Sequence, residues 1–176
     1  LAQEMEKAGE LARSLARICY FNGSGEADTG AELESRMHAK DGAPVNVLTA
    51  ADDTVLIAFT SGTTGVPKGT MHFHRDVLAM SDCFPRSTLR ATEDDVFIGS
   101  PPLAFTFGLG GLATFPLRAG ASTVLLETAS PDTLAPAIER YGATVCFTAP
   151  TAFRAIAGAT TAYDLTSLSK CISAGE

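Results

Sequence analysis

No apolar run in this 176-residue chain approaches the ~18 residues that a membrane-spanning helix needs. Positive charge is scarce as well: 13 Lys and Arg stand against 20 Asp and Glu, a net charge of −7. Such a surface repels nucleic acid and anionic membranes, so neither is expected as a partner, and an anionic ligand has to be held by local groups. The four cysteines, Cys19, Cys83, Cys146 and Cys171, form no Cys-x-x-Cys pair. Cys19, Cys146 and Cys171 lie in short apolar runs. They read as buried thiols in a reducing cytosol, not as disulfides or metal ligands. No charged-then-apolar leader opens the chain, which adds to the expectation of a cytoplasmic protein. Internal repeats and low-complexity tracts are absent. What is present is globular: 45% apolar and 19% charged residues, over about one domain's length. The chain starts at Leu1, not Met, and residues 172–176 stop just after an apolar run. The expectation is a fragment cut at both ends from a longer protein.

Periodicity supplies the elements. Leu1, Met5, Ala8, Ala12 and Leu15 form one stripe of a helix reaching about Ser14. Residues 17–21 are a short strand candidate, and Asn22-Gly-Ser-Gly breaks it. Thr29 and Glu32 have capping-box spacing and open a helix to about Met37; residues 39–53 are polar and turn-rich. Residues 55–59 then read as a buried strand, followed by a Gly-rich loop and a helix over about 74–80. Strands are expected at 96–99, 123–126, 144–147 and 170–173. Helical segments are expected at 109–115, after the caps of Ser130-Pro-Asp-Thr133, and at 150–157. Pro136 is awkward inside a helix unless the start slips to Asp132 or Thr133. This alternation predicts an α/β fold, a mostly parallel sheet flanked by helices, with ligands beyond the carboxyl ends of its strands.

The chemistry concentrates in Thr60-Ser-Gly-Thr-Thr-Gly-Val-Pro-Lys-Gly69, read as following a strand and preceding a helix. Ten residues hold three glycines, four hydroxyls and one ammonium, and no acid. Gly62, Gly65 and Gly69 let backbone N–H groups approach an anion. Thr60, Ser61, Thr63 and Thr64 add hydroxyl donors, and Lys68 adds a mobile positive charge. A polyphosphate is the natural guest of such a cradle. The Walker arrangement does not apply, because Pro67 precedes Lys68.

Residues 59–69 resemble the signature loop of the adenylate-forming superfamily, which contains the acyl- and aryl-CoA ligases, luciferase and the adenylation domains of peptide synthetases. That resemblance makes the chain an incomplete portion of a large N-terminal AMP-binding domain. It implies that the loop and Lys68, the catalytic candidate, hold the β- and γ-phosphates of ATP. A carboxylate then attacks the α-phosphorus and pyrophosphate leaves, and coenzyme A displaces AMP to form a thioester. Magnesium accompanies ATP in the family. Its glutamate ligand, the ribose-binding aspartate and the catalytic lysine of the C-terminal domain would all lie beyond residue 176, so the fragment alone is expected to lack turnover.

Residues 101–111 (Pro-Pro-Leu-Ala-Phe-Thr-Phe-Gly-Leu-Gly-Gly) look like the family motif walling the acid pocket. Phe105, Thr106, Phe107 and Gly108 are the implied pocket residues. Phe105 falls where many relatives carry His or another aromatic, and Gly108 and Gly110 keep the wall thin. Ser173-Ala-Gly-Glu176 resembles the loop that packs on adenine, which adds Ala174, Gly175 and Glu176 to the nucleotide site. His74 matches a His common in relatives, but His72 and His74 are poorly spaced for a metal, and both read as capping or packing residues. The resemblance runs from about residue 45 onward, is loose before that, and is nearest to the benzoate and 2-aminobenzoate CoA ligases. Two other readings stay open: an adenylation domain that loads a carrier protein, and a nucleotide-binding module without turnover.

Overall fold

The structure, a computed structural model, describes residues 7, 9–11, 32–60 and 67–174. They belong to two compact units, Leu1–Leu48 and Thr49–Glu176. In the first unit, residues 7 and 9–11 are helical and α1 spans Glu32–His38. The strand expected at 17–21 and the cap at Thr29 lie outside the described residues.

The second unit begins with a turn in which the Asp53 carboxylate accepts the Ala50 N–H at 2.7 Å. Strand β1 (Thr54–Thr60) pairs antiparallel with β2 (Lys68–Phe73), and helix α2 (His74–Phe84) follows. The loop therefore joins two strands of a hairpin, where the sequence suggested a strand and then a helix. Lys68, Thr70 and His72 alternate with Gly69, Met71 and Phe73, and that period of two holds the segment in the ladder until Asp76 caps α2. Its carboxylate accepts the Phe73 N–H at 2.9 Å. Strand β1 is also not buried as expected: none of its residues is fully covered. It belongs to a two-stranded sheet, and the side carrying Ile57 and Phe59 has no covering layer among the described residues.

A π-helical turn at Pro85–Leu89 extends α2. Strand β3 (Val96–Gly99) leads to α3 (Thr106–Leu109), a π-helical turn (Gly110–Thr114) and α4 (Phe115–Ala119), so the helical stretch is longer than the periodicity implied. Then come β4 (Ser122–Val124), α5 (Pro131–Tyr141), β5 (Val145–Thr148), α6 (Pro150–Gly158) and β6 (Lys170–Ser173). The expected caps of α5 hold: the Ser130 N–H donates to Thr133 Oγ1 at 2.9 Å. The helix starts earlier than the sequence suggested, at Pro131, which leaves Pro136 inside it. Leu134, Ala135, Ala137 and Ile138 are all buried there, and their burial outweighs one missing backbone hydrogen bond.

The four strands form a parallel sheet in the order β4-β3-β5-β6. Alternate side chains of β3 and β5 enter two separate clusters. Ile98 and Cys146 join Leu134, Ile138 and Ile156 of α5 and α6. Phe97, Val145 and Phe147 join Leu89 and Phe115 on the other face. The sheet is thus covered by helices on both sides, the α/β architecture the sequence predicts. Not every thiol is buried, however. Cys146 is buried, while Cys83 and Cys171 are exposed free thiols. Cys171 lies on β6, an edge strand among the described residues, where only Ile172 reaches a core cluster. Cys19 lies outside the described residues.

At the amino ends of these strands Asp95 is clamped. Lys170 Nζ reaches its carboxylate at 2.6 Å, Thr144 Oγ1 donates at 2.7 Å and the Thr92 N–H at 2.9 Å. Burial pushes the Asp95 pKa up, but these hydrogen bonds and the Lys170 charge outweigh it and hold the carboxyl below its ordinary value. This ties β6, β5 and the turn before β3 at the end of the sheet opposite the carboxyl ends of its strands.

Candidate functional site

Chain order places the site. The β3–β4 crossover runs along the face that carries Phe115, whereas the crossovers after β4 and β5 carry α5 and α6 on the other face. Moving in opposite directions along a parallel sheet requires this of right-handed crossovers. The connections leaving β3 and β5 therefore part to opposite faces, and a crevice is left at their carboxyl ends. Ser100 and Thr148 meet there, with hydroxyl oxygens 2.6 Å apart and the Ser100 N–H donating to the Phe147 carbonyl at 3.1 Å. Thr148 is fully buried. This pair starts the 100–108 segment in a set position, a role with no sign in the sequence, because two isolated hydroxyls carry no pattern.

From that anchor the segment runs to Phe105, the extended residue before α3, whose carbonyl accepts the Leu109 N–H at 2.8 Å. The four implied pocket residues divide. Phe105 is 66% exposed and borders a recess with Leu56, Ala58 and Phe59 of β1. Thr106 lines the same recess. Phe107 turns the other way: its ring centroid is 5.5 Å from that of Phe147, at the edge of the core. Gly108 is buried where a Cβ would lie 2.1 Å from the Pro102 carbonyl oxygen, so no side chain fits. Gly111 is held likewise, with a Cβ position 2.4 Å from the Phe147 ring.

The hairpin brings the phosphate-loop candidates alongside. Thr60 and Lys68 are directly opposed at its loop end, and Phe59 faces Gly69. Opposed residues of an antiparallel pair share a side, so Lys68, Thr70 and His72 lie on the side of Leu56, Ala58 and Thr60. Leu56 and His72 line a second recess with Thr106 and Leu109. The Lys68 side of the hairpin thus reaches α3, and Ile57 and Phe59 of the other side border the recess beside Phe105 and Thr106. Gly69 leaves room beneath the Phe59 ring, 3.4 Å from its Cβ position. Ser61, Gly62, Thr63, Thr64 and Gly65 lie outside the described residues, as do Gly175 and Glu176. Ala174 is exposed and follows β6, at the same carboxyl edge as Ser100 and Thr148.

His74 opens α2, its N–H donating to the Asp53 carbonyl at 3.2 Å, and Arg75 pairs with Asp52. His74 is therefore placed as a helix-start residue. Among the described residues no three His, Cys, Asp or Glu side chains cluster so as to hold a metal ion. No helix of the described residues is long and apolar enough to cross a membrane.

Residues 2–176 match the family model of the AMP-binding enzymes, a match that begins well ahead of residue 45. The chain is 31% identical over 141 residues to the benzoate–CoA ligase of Thauera aromatica, covering 80% of this chain and 26% of that one. It is 34% identical over 126 residues to the p-hydroxybenzoic acid–AMP ligase FadD22 of Mycobacterium tuberculosis, 71% of this chain and 18% of that one. Among solved structures it superposes on the anthranilate CoA ligase AuaEII in complex with anthranoyl-AMP with a TM-score of 0.73 and 30% identity, covering 81% of this chain and 28% of that one. The chain thus spans about a quarter of the length of such relatives.

Proposed function

Because the chain belongs to the AMP-binding enzyme family, we propose that it is part of the large N-terminal domain of a cytoplasmic acid–thiol ligase. The full enzyme joins a carboxylic acid, an aromatic one, to ATP, giving an acyl-adenylate and pyrophosphate, and then passes the acyl group to coenzyme A. The observation that carries this reading is the hairpin register: it sets Lys68 opposite Thr60 at the mouth of the Ser/Thr/Gly loop, on a hairpin side that reaches α3.

In this reading the loop's N–H groups and the hydroxyls of Thr60, Ser61, Thr63 and Thr64 hold the β- and γ-phosphates. Gly62, Gly65 and Gly69 permit the close approach, and Lys68 neutralises charge on the departing pyrophosphate. Catalysis is then positioning plus charge stabilisation, with no covalent chemistry asked of the chain. Ala174, Gly175 and Glu176 lie against the adenine. Phe105, Thr106, Phe107 and Gly108 wall the acid site, with Phe107 acting from the core side. Magnesium, which binds through phosphate oxygens and one or two carboxylates, would sit with the ATP phosphates and neutralise their charge.

The acceptor has a second reading. One relative is named for ligation to AMP, not to coenzyme A, which fits an enzyme that hands its acyl group to a carrier protein. The deciding experiment is acid-dependent ATP–pyrophosphate exchange by the full-length protein with benzoate, 2-aminobenzoate, medium-chain fatty acids and amino acids, with and without coenzyme A. Exchange with an aryl acid is expected, about 10²–10³-fold weaker in Lys68→Ala at unchanged melting temperature, and undetectable for the 176-residue chain alone. ATP binding without exchange for any acid would reduce the protein to a nucleotide-binding module.

A further inference from the structure

Strands β3 and β5 end side by side, and their connections leave for opposite faces of the sheet. Ser100 is the first residue after β3, and Thr148 is the last residue of β5. Their hydroxyl oxygens are 2.6 Å apart, so the pair closes the floor of the crevice where the two connections part. Gly99 makes the approach possible: a Cβ there would lie 2.3 Å from the Phe147 carbonyl oxygen.

The stretch that follows has little else to hold it. Pro101 and Pro102 carry no N–H to donate. The Phe105 N–H turns back to the Pro102 carbonyl at 3.0 Å, a bond within the stretch itself. Among the described residues, both hydrogen bonds that tie residues 100–105 to the sheet are made by Ser100. Its N–H donates to the Phe147 carbonyl at 3.1 Å, and its hydroxyl meets Thr148. The next anchor is Phe107, whose ring centroid is 5.5 Å from that of Phe147. Residues 101–106 therefore hang between two fixed points, and Phe105 and Thr106 of this stretch line the recess beside β1. Thr148 is fully buried, so its hydroxyl is out of reach of a ligand and is satisfied by Ser100. Leaving a buried hydroxyl without its partner costs free energy, and that cost keeps Ser100 in place.

We propose that Thr148 is a positioning residue for the acid site: through Ser100 it fixes the wall that presents Phe105 and Thr106, without touching the acid itself. This rests on the acid-activating reading above and adds to it a residue outside both the phosphate loop and the 101–111 motif. The clamp acts on the acid and leaves ATP alone, because the phosphate loop is carried by the hairpin, a separate sheet.

The test uses the full-length protein and the acid that gives the strongest pyrophosphate exchange. Thr148→Val keeps the branched shape and removes the hydroxyl. It should raise the acid KM about tenfold, the worth of one hydrogen bond, with the KM for ATP unchanged. Thr148→Ser restores a hydroxyl and should recover most of the loss. Ser100→Ala, at a half-buried position, should match Thr148→Val, and the double variant should be no worse than either single one. A fold merely weakened by these changes would move both KM values or neither, and two independent defects would add. The proposal is overturned if Thr148→Val leaves the acid KM unchanged or raises both KM values alike, if Thr148→Ser is equally impaired, or if the two single effects add. Should the unmodified protein exchange with no acid, the activating reading fails by itself. The clamp is then judged by amide hydrogen exchange of Thr148→Val. Faster exchange across residues 100–109 with residues 131–141 unchanged supports it; no change at 100–109, or an equal rise in both, overturns it.

Discussion

Strands β1 and β5 are both short apolar runs, Thr-Val-Leu-Ile-Ala-Phe-Thr and Val-Cys-Phe-Thr, yet they live in opposite surroundings. Every residue of β5 is buried, while Ile57 and Phe59 of β1 are 52% and 73% exposed. The difference lies in neighbours. Strand β5 has a parallel strand on each side and a helical layer on each face, so successive side chains feed two clusters. Strand β1 has one antiparallel partner, and its Leu56 side is the better covered, lining a recess with α2 and α3. An apolar run reports a β preference, not a depth. The parallel sheet supplies the buried core, and the hairpin carries the loop proposed to hold the phosphates, where exposure leaves a ligand access.

That contrast can be pressed by experiment. The largest effect is expected at the sheet. Phe147 touches Phe97, Phe107 and Phe115, so Phe147→Ala should cost about 3–5 kcal/mol in a denaturant titration. A loss below 1 kcal/mol would mean that the aromatic cluster is not the centre of the core. A middle-sized effect is expected at the Asp95 clamp. Its folded-state pKa lies below the ordinary 3.8. Its contribution is therefore present above that value and fades as the pH falls through the lower, folded one. Asp95→Asn should flatten the loss of stability below about pH 4, read from melts between pH 2 and 6; an unchanged slope would assign the acid sensitivity elsewhere. The smallest effect belongs to the hairpin. Ile57→Thr keeps a β-branched residue at an exposed site and should change stability by less than about 0.5 kcal/mol. A loss near that of Phe147→Ala would show that this side of the hairpin is covered in solution.

Much of the sheet could be read in advance because its signals are local. Residues 170–173 and 96–99 are strands as expected, and Ser130 caps its helix through a contact three residues away. The misses have a different origin. Residues 68–73 combine a lysine, a glycine, a threonine and a histidine in a pattern too polar to announce a strand, and cross-strand pairing with β1 decides the matter. Pro136 sits mid-helix because the packing of Leu134 and Ile138 overrides a local rule. Cys171 is exposed because β6 lacks an outer neighbour among the described residues. Ser100 and Thr148 are 48 positions apart, and no spacing rule joins them.

By itself the sequence determined the α/β alternation, the loop with its hydroxyls and single ammonium, and through these the family, since each depends on residues adjacent in the chain. Tertiary structure alone decided that Lys68 shares a hairpin side with His72 and Thr60, that Phe107 turns to the core while Phe105 faces out, and that a recess opens between β1, α2 and α3. Those facts depend on which faces meet across long separations, and side-chain packing, not local propensity, chooses them.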